Sequence, residues 1–191
     1  MAIGVDGLPV IAYWNQTFQT LNVLKCTNPA CTGTVTPNPV TTIGFGEFTS
    51  IAISADGLPV IAFSDQQRLR VAKCSAPDCS GGSGSQFITT TSNSGNGPAL
   101  AIGADGLPVI AFRDNSSGNG DLKVAKCSTP GCGGGPSTIT TLATDGHVGF
   151  DISIAIGADG MPVITYHDNT TFQQKVVKCA NAFCAPFFRR R

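Results

Sequence analysis

The chain has 191 residues, of which 23 are glycine and only 13% are charged, a composition that favours short strands and tight turns over helices. Its 12 basic and 12 acidic side chains give a formal net charge of zero, which excludes a general electrostatic attraction to nucleic acid or to an anionic membrane. No apolar run approaches the ~20 residues needed to span a bilayer, so we expect no membrane insertion. The composition therefore predicts an all-β protein.

The first residues differ from a secretion signal. The opening MAIGVDGLPV lacks the basic start and the apolar stretch of a signal peptide, and Met1 leads straight into a repeated motif. We therefore expect that a leader or further repeats have been removed, or that the chain is a piece of a longer product.

One motif occurs four times along the chain. The copies are AIGVDGLPVIAYW from Ala2, SIAISADGLPVIAFSD from Ser50, LAIGADGLPVIAFRD from Leu100 and SIAIGADGMPVITYHD from Ser153. A period of about 50 residues is typical of propeller blades rather than of short solenoid turns. We therefore divide a single repeat domain, 1–191, into copies at approximately 1–48, 49–97, 98–150 and 151–191.

The second copy illustrates four strand-like segments. Strand A covers 49–54, strand B 58–64, strand C 68–74 and strand D 86–91. The pair Asp56-Gly57 between strands A and B predicts a type I′ hairpin, in which glycine accepts a positive φ. Both alternating faces of strand B are apolar, which predicts neighbours on both sides.

A gradient from apolar to polar strands runs through the copy. Strand B is apolar, whereas strand D is mostly threonine. In a propeller the inner strands are sandwiched near the axis and the outer strands meet water. The repeat therefore predicts a β-propeller-like fold of four blades, each with four antiparallel strands. An elongated β-array or a two-sheet sandwich stays as the alternative.

All eight cysteines occur as C-x4-C pairs at one repeat position, and the first cysteine of each pair directly follows a lysine. Two cysteines across a short loop lie within disulfide reach, which predicts the bridges Cys26–Cys31, Cys74–Cys79, Cys127–Cys132 and Cys179–Cys184. The alternative is a four-cysteine zinc site, but a propeller separates equivalent positions around its ring and no histidine accompanies the pairs. We expect no metal there, and an oxidising, extracellular or cell-surface location.

Alternate loops of a blade emerge on opposite faces. The A–B and C–D turns are nearly the same in every copy, and we name their side the constant face. The B–C and D–A connections vary, and they form the variable face, where ligand contacts are expected. The candidates there are Arg68, Arg113, His147, His167 and Asp168, with Glu47 and Asp151 in or near the D–A connections.

Three N-x-[ST] sequons follow strand B of their copies, at Asn15, Asn115 and Asn169. Their place in exposed B–C loops predicts either glycan attachment or polar turn chemistry. Asp65, Asp114 and Asp168 occupy the end of strand B, where they cap loops or bind calcium. Because the chain has no dense carboxylate loop, we expect no cofactor, with calcium as the alternative.

Residues suited to catalysis are scarce. Sialidase-type hydrolysis needs an arginine cluster and a Tyr/Glu or carboxylate pair. Glu47 is the only glutamate, and Tyr13 and Tyr166 are the only tyrosines. No G-x-S-x-G or H-E-x-x-H motif accompanies His147 or His167, so these histidines are interpreted as ordinary surface residues.

The repeat DGLPVIAFRD…LKVAKCSTPGC resembles tandem units of secreted bacterial proteins that are similar to the sialidase/BNR-type β-propeller class. The resemblance covers nearly the whole chain and implies an extracellular, propeller-like array. The Asp-box pattern S-x-D-x-G-x-T-W of that class is absent here, so the resemblance carries over no catalytic residue.

These observations together predict a non-enzymatic extracellular propeller for binding, adhesion or scaffolding, with a glycan or a surface protein as partner. The alternative is a self-assembling subunit of a ring or filament, because no strand exchange latches the first blade to the last and open end strands invite strand addition. The segment APFFRRR, with Phe187 and Phe188, favours that alternative. A sialidase-like glycoside hydrolase is the third.

Overall fold

The computed structural model describes residues 1–42, 48–133 and 138–185, which form β-strands joined by turns. No helix in these ranges is long and apolar enough to cross a lipid bilayer. The strands are β1 Ala2–Ile3, β2 Pro9–Asn15, β3 Thr20–Lys25, β4 Asn38–Thr42, β5 Thr49–Ile53, β6 Pro59–Asp65, β7 Arg68–Cys74, β8 Ser83–Phe87, β9 Asn96–Ile102, β10 Pro108–Asp114, β11 Asp121–Lys126, β12 Thr138–Ala143, β13 Phe150–Ile156, β14 Pro162–Asp168 and β15 Gln173–Lys178.

The strands form four antiparallel sheets, each of them a meander of consecutive strands. Blade 1 is β1–β4, blade 2 is β5–β8 and blade 3 is β9–β12, while the described residues supply three strands, β13–β15, to blade 4. The first strands of neighbouring blades touch, because β9 lies between β5 and β13. The chain is therefore an all-β, four-bladed propeller, as predicted, and neither an elongated array nor a two-sheet sandwich.

Apolar side chains between the blades form the core. Separate clusters lie between blades 1 and 2, blades 2 and 3, and blades 3 and 4. In β6, Ile61 and Phe63 face blade 1 whereas Val60 and Ala62 face blade 3, and all four side chains are completely buried. The predicted burial of both faces of strand B is confirmed, and the alternation follows from the two-residue period of a strand.

The outer sides of the two end blades carry apolar residues that stay exposed. Val176 of blade 4 is 65% exposed and Ile3 of blade 1 is 55% exposed. Within the described ranges no apolar cluster joins blade 4 to blade 1. Self-association through these ends stays a prediction, and Phe187 and Phe188 lie outside the described residues.

Two local predictions in the second copy are wrong. The A–B loop is not a type I′ hairpin: the amide of Gly57 donates to the Ser54 carbonyl, and Gly57 has a φ of 80° whereas Asp56 is not among the residues with positive φ. This is a three-residue loop, a turn followed by a left-handed glycine. Strand D runs from Ser83 to Phe87 instead of 86–91, because it pairs with β7 from Cys74 onward, directly after the cysteine loop, and the threonines at 89–91 lie beyond it.

The constant face is held by one bridge and one ion pair in each blade. The four predicted disulfides are present, with Cα–Cα distances of 4.6–4.9 Å. The lysine before each first cysteine binds the aspartate of the A–B turn, in the pairs Lys25–Asp6, Lys73–Asp56, Lys126–Asp105 and Lys178–Asp159. The lysine of the Lys-Cys motif thus ties strand C to the A–B turn, a role that the sequence reading did not recognise.

Candidate functional site

Three residues at one repeat position turn toward the variable face where the inner strands of blades 2, 3 and 4 begin. They are Phe48, Gly97 and Asp151, each eight residues before an A–B turn aspartate. Their φ angles are 65°, 56° and 46°, a left-handed conformation that is uncommon for phenylalanine and aspartate. The ladder register shifts at Gly97 and at Asp151, so each of them lies in a β-bulge. A bulge changes the direction in which the local side chains point.

These three residues line a single cavity of about 260 Å³. Its size is close to that of the smaller ligand sites of proteins. The other lining residues come from strand B of blade 3 and from the starts of β9 and β13. The complete lining is Phe48, Asn96, Gly97, Arg113, Gly149, Phe150 and Asp151. We name this space the axial cavity.

Arg113 is the cation of the axial cavity. Its Nε donates to the Val148 carbonyl at 3.2 Å, and its Nη2 donates to Asn115 Oδ1 at 3.0 Å. The guanidinium also lies over the Phe150 ring, 4.1 Å from the ring centre, a cation–π contact. Burial lowers the pKa of Arg113, but an arginine stays protonated at neutral pH. The side chain is therefore a fixed positive charge.

Asp151 is the carboxylate of the axial cavity among the described residues. It is exposed, and none of the ion pairs in the described ranges involves it. The cavity thus combines a free carboxylate, a fixed guanidinium, an amide and two aromatic rings. Glu47, which precedes Phe48 in the sequence, lies outside the described residues.

Of the side chains predicted on the variable face, Arg113 and Asp151 line the axial cavity, whereas Arg68, His147, His167 and Asp168 do not. Arg68 stacks on Phe87, 4.0 Å from the ring centre, at blade 2. The backbone amide of His147 donates to Thr170 Oγ1, and His167 lies opposite Phe150 in the ladder. Neither histidine is part of the cavity lining.

Asp168 and its counterpart Asp114 have structural partners instead of a ligand. Asp168 is 1% exposed and accepts from Lys175 Nζ at 2.6 Å, which lowers the pKa of the carboxyl group. Asp114 accepts from Lys123 Nζ at 2.6 Å and from the amide of Ser116 at 2.9 Å. Burial raises the pKa of Asp114, yet these bonds outweigh it and the net shift is downward. These two aspartates therefore cap loops, as one of the two interpretations predicted. Their carboxylate oxygens, which a calcium ion would need as ligands, already accept hydrogen bonds from the protein.

The three sequons have different surroundings. Asn15 Oδ1 accepts from the amides of Thr17 and Phe18, which closes a polar turn. Asn115 Oδ1 is bonded to Arg113, and Asn169 is exposed. Turn chemistry accounts for Asn15, while glycan attachment at any of the three stays a prediction.

The residues that sequence reasoning missed are Phe48, Asn96 and Phe150. They belong to the D–A connections or to the first residues of inner strands, which vary between copies and carry no recognisable motif. The available signal was positional: Phe48, Gly97 and Asp151 align when the copies are superposed on their Asp-Gly turns.

Known proteins resemble the chain in fold. It superposes on a Dyadobacter fermentans protein of unknown function with a TM-score of 0.65, at 13% identity, over 91% of this chain and 50% of that one. The K499G mutant of the NanB sialidase from Streptococcus pneumoniae superposes with a TM-score of 0.61, at 14% identity, over 93% of this chain and 29% of that one. A putative exo-β-1,3-galactanase from Bifidobacterium bifidum superposes with a TM-score of 0.59, at 15% identity, over 96% of this chain and 71% of that one. No family model and no curated protein sequence matches the chain.

These structures correct the functional prediction. The sialidase and the putative galactanase are glycoside hydrolases, so the expectation of a non-enzymatic binding, adhesion or scaffold protein is wrong. At 13–15% identity the likeness establishes the propeller fold of this chain. The chain spans half or less of two of the three proteins named here, and the four disulfides fit an extracellular protein.

Proposed function

We propose that the chain is a secreted propeller of the glycoside hydrolase type, with its saccharide in the axial cavity. The observation that carries the proposal is Asp151, a carboxylate residue without an ion-pair partner among the described residues, which lies at a bulge and lines a cavity together with two aromatic residues. The named activities of the neighbouring structures, a sialidase and a putative galactanase, support the same substrate class.

The lining suits a sugar ring. A pyranose has an apolar face of C–H groups and an edge of hydroxyl groups. The rings of Phe48, which is 60% exposed, and Phe150 offer apolar surfaces, while Asn96 and Asp151 offer hydrogen-bond partners for hydroxyls. The cavity therefore has the mixture of contacts that orients a carbohydrate.

Cleavage of a glycosidic bond uses two carboxyl groups, one of them as acid and the other as nucleophile or base. Asp151, which lines the cavity, supplies one of these groups. Secretion is supported by the four disulfides, which form in oxidising compartments. The sequons at Asn15, Asn115 and Asn169 are compatible with that location.

The test is hydrolysis of a panel of p-nitrophenyl glycosides, namely β-galactoside, α-arabinofuranoside, β-xyloside and α-sialoside. We expect release of p-nitrophenol from at least one of them, and a loss of at least about 100-fold in kcat with Asp151→Asn, the scale of a lost acid–base or nucleophilic group. Asp145→Asn is the matched control, because Asp145 is exposed in the same D–A connection but does not line the cavity. Unchanged activity of Asp151→Asn, or no hydrolysis of any substrate, overturns the proposal.

A further inference from the structure

The three junctions between neighbouring blades repeat one arrangement of side chains. We name the side of a blade that faces the following blade its leading face, and the side that faces the preceding blade its trailing face. Leading faces present a valine and an alanine of strand B and a valine of strand C, whereas trailing faces present an isoleucine and an aromatic residue of strand B. In blade 2 these are Val60, Ala62 and Val71 on the leading face and Ile61 and Phe63 on the trailing face.

The A–B turns of neighbouring blades also meet in a repeated way. The glycine of each turn lies against the residue that precedes the turn aspartate of the previous blade. A Cβ on this glycine would lie 3.3, 3.8 and 3.1 Å from the previous blade in the contacts Val5–Gly57, Ala55–Gly106 and Ala104–Gly160, respectively. All three junctions therefore have the same register.

Blade 4 exposes the leading half of such a junction. Val176 is 65% exposed, whereas its counterparts in the other blades are completely buried, namely Val23, Val71 and Val124. Ser153 is exposed as well. Its counterpart Ser50 accepts a hydrogen bond at 3.0 Å from the amide of Leu100 in the following blade. The leading face of blade 4 thus retains both an apolar contact and a hydrogen-bond acceptor of the inner junctions.

Blade 1 exposes the trailing half. Ile3 is 55% exposed and Tyr13 is half-buried. Tyr13 has the repeat position of Tyr166, which is only 5% exposed in the junction of blades 3 and 4, so a tyrosine fits this interface. A Cβ on Gly7 would have no atom of the described residues within 4 Å, unlike one on the turn glycines of the other blades. Each end of the chain therefore carries the half of the junction that the other end lacks.

We infer that the leading face of blade 4 binds the trailing face of blade 1 in a second copy of the chain. The junction between copies repeats the register of the three junctions within the chain, a head-to-tail contact of two different surfaces. It also covers apolar side chains that the single chain leaves in water. By the order of the inner strands, β1 of the second copy lies beside β13, the strand that carries Asp151. The inference does not depend on hydrolase activity.

Two substitutions make this contact weaker than an inner junction. Thr165 and Gln174 of blade 4 are exposed and stand where the other three blades have alanine and leucine. Burial of these polar side chains costs free energy that the inner blades do not expend. We therefore expect copies that associate reversibly and separate on dilution.

The first test is the molar mass in solution, measured by light scattering from about 10 µM to about 1 mM protein. We expect the mass to rise above that of one chain as the concentration increases. Val176→Asp should raise the dissociation constant at least about 10-fold, because the junction would bury an unpaired carboxylate. Phe172→Asp is the matched control, since Phe172 is 80% exposed but belongs to the B–C loop of the same blade, and it should leave association unchanged. A mass of one chain throughout, or association that Val176→Asp does not weaken, overturns the inference.

Mixing two variants tests the head-to-tail geometry. Val176→Asp damages the leading face and Ile3→Asp the trailing face, so neither variant should associate with itself. A mixture of the two should form a heterodimer, because it contains one intact face of each kind. Both sites are exposed in the single chain, so the substitutions should leave its unfolding curve unchanged. Absence of association in the mixture overturns the head-to-tail contact.

A disulfide between copies tests the register. Ala55→Cys with Gly106→Cys is the positive control within one chain, because the 3.8 Å between the two Cβ positions suits a disulfide. Ala158 and Gly7 are the corresponding residues at the two ends. Under mild oxidation a mixture of Ala158→Cys and Gly7→Cys chains should form a cross-linked dimer that neither variant forms alone. If the control forms its disulfide and the mixture forms no dimer, the inference is overturned.

Discussion

The ammonium group of Lys126 lies 2.8 Å from Asp105 Oδ1, in a position where the lysine side chain is only 1% exposed. It also donates to the Leu107 carbonyl at 3.0 Å. The equivalent pair of blade 4, Lys178–Asp159, is open, with a lysine that is 60% exposed. The same sequence motif therefore buries the lysine in blade 3 and exposes it in blade 4, while the aspartate is 43–46% exposed in both pairs.

This difference predicts unequal costs of removing the lysine. Lys126→Ala should lower the free energy of unfolding by about 2 kcal/mol, because it removes a buried donor and the packed stem of the side chain. Lys178→Ala should lower the free energy of unfolding much less, because exposed ion pairs contribute little to stability. Urea unfolding of both variants measures the difference, and equal losses would show that burial does not govern these pairs.

The ion pair of blade 2 predicts a pH dependence of stability. Hydrogen bonds from Lys73 and then Ser54 lower the pKa of Asp56 from 3.8 to about 2. Because the folded-state pKa lies below the unfolded one, the pair stabilises the fold above about pH 4, and this contribution is lost as the pH falls toward 2. Asp56 is 49% exposed, so we reduce the expected contribution to about 1 kcal/mol. Unfolding titrations from pH 2 to 6 on wild type and Asp56→Asn should show a smaller slope in the variant; identical slopes would contradict the prediction.

The disulfide loops combine a covalent bridge with a strained backbone. Cys132, like the second cysteine of every bridge, has a left-handed φ, here 57°. Removing the bridge with Cys127→Ser and Cys132→Ser should cost about 2 kcal/mol, the value for so short a loop. With Cys132→Gly in place of Cys132→Ser, about 1 kcal/mol should return, because glycine adopts this φ freely. Chemical unfolding compares the two double variants, and the absence of any recovery would indicate that the loop relaxes when the bridge is lost.

The blade order predicts that side chains at one repeat position contribute unequally to the free energy of unfolding. Phe112 is completely buried between blades 2 and 3, whereas Tyr13 occupies the same repeat position on the outer side of blade 1 and is only half-buried. Phe112→Ala should cost about 3–5 kcal/mol and Tyr13→Ala much less. Denaturant unfolding at several protein concentrations gives both values. A large, concentration-dependent loss for Tyr13→Ala would show that a partner covers this side.

Features that depend on neighbours in sequence were predictable. The alternation of Val60, Ile61, Ala62 and Phe63 indicated a strand buried on both faces, and the C-x4-C spacing indicated disulfides within short loops. The A–B turn was misjudged in type, because Asp-Gly is compatible with two hairpin geometries and the choice depends on whether Asp56 also takes a positive φ. The start of strand D was misjudged because its register is set by pairing with β7, which threonine content does not reveal.

The candidate site was less accessible to sequence reasoning. Arg113 was identified because it lies near a B–C loop of the variable face. Arg68, His167 and Asp168 lie near B–C loops as well and His147 lies in a D–A connection, but none of these four lines the cavity. Charge alone did not separate Asp151, free in the cavity, from Asp168, which is bound to Lys175. That distinction requires knowing which side chains meet across different blades.

The amino-acid sequence by itself determined that four similar units form antiparallel blades stapled by disulfides, because alternating burial, turn residues and short loops are encoded within each copy. Only the tertiary structure decided which residues converge in the axial cavity. Phe48, Gly97 and Asp151 lie about 50 residues apart, and they meet because the inner strands pack side by side while a left-handed residue at the start of each one turns the chain toward a common space. Such convergence is a property of blade packing, and no single copy contains it.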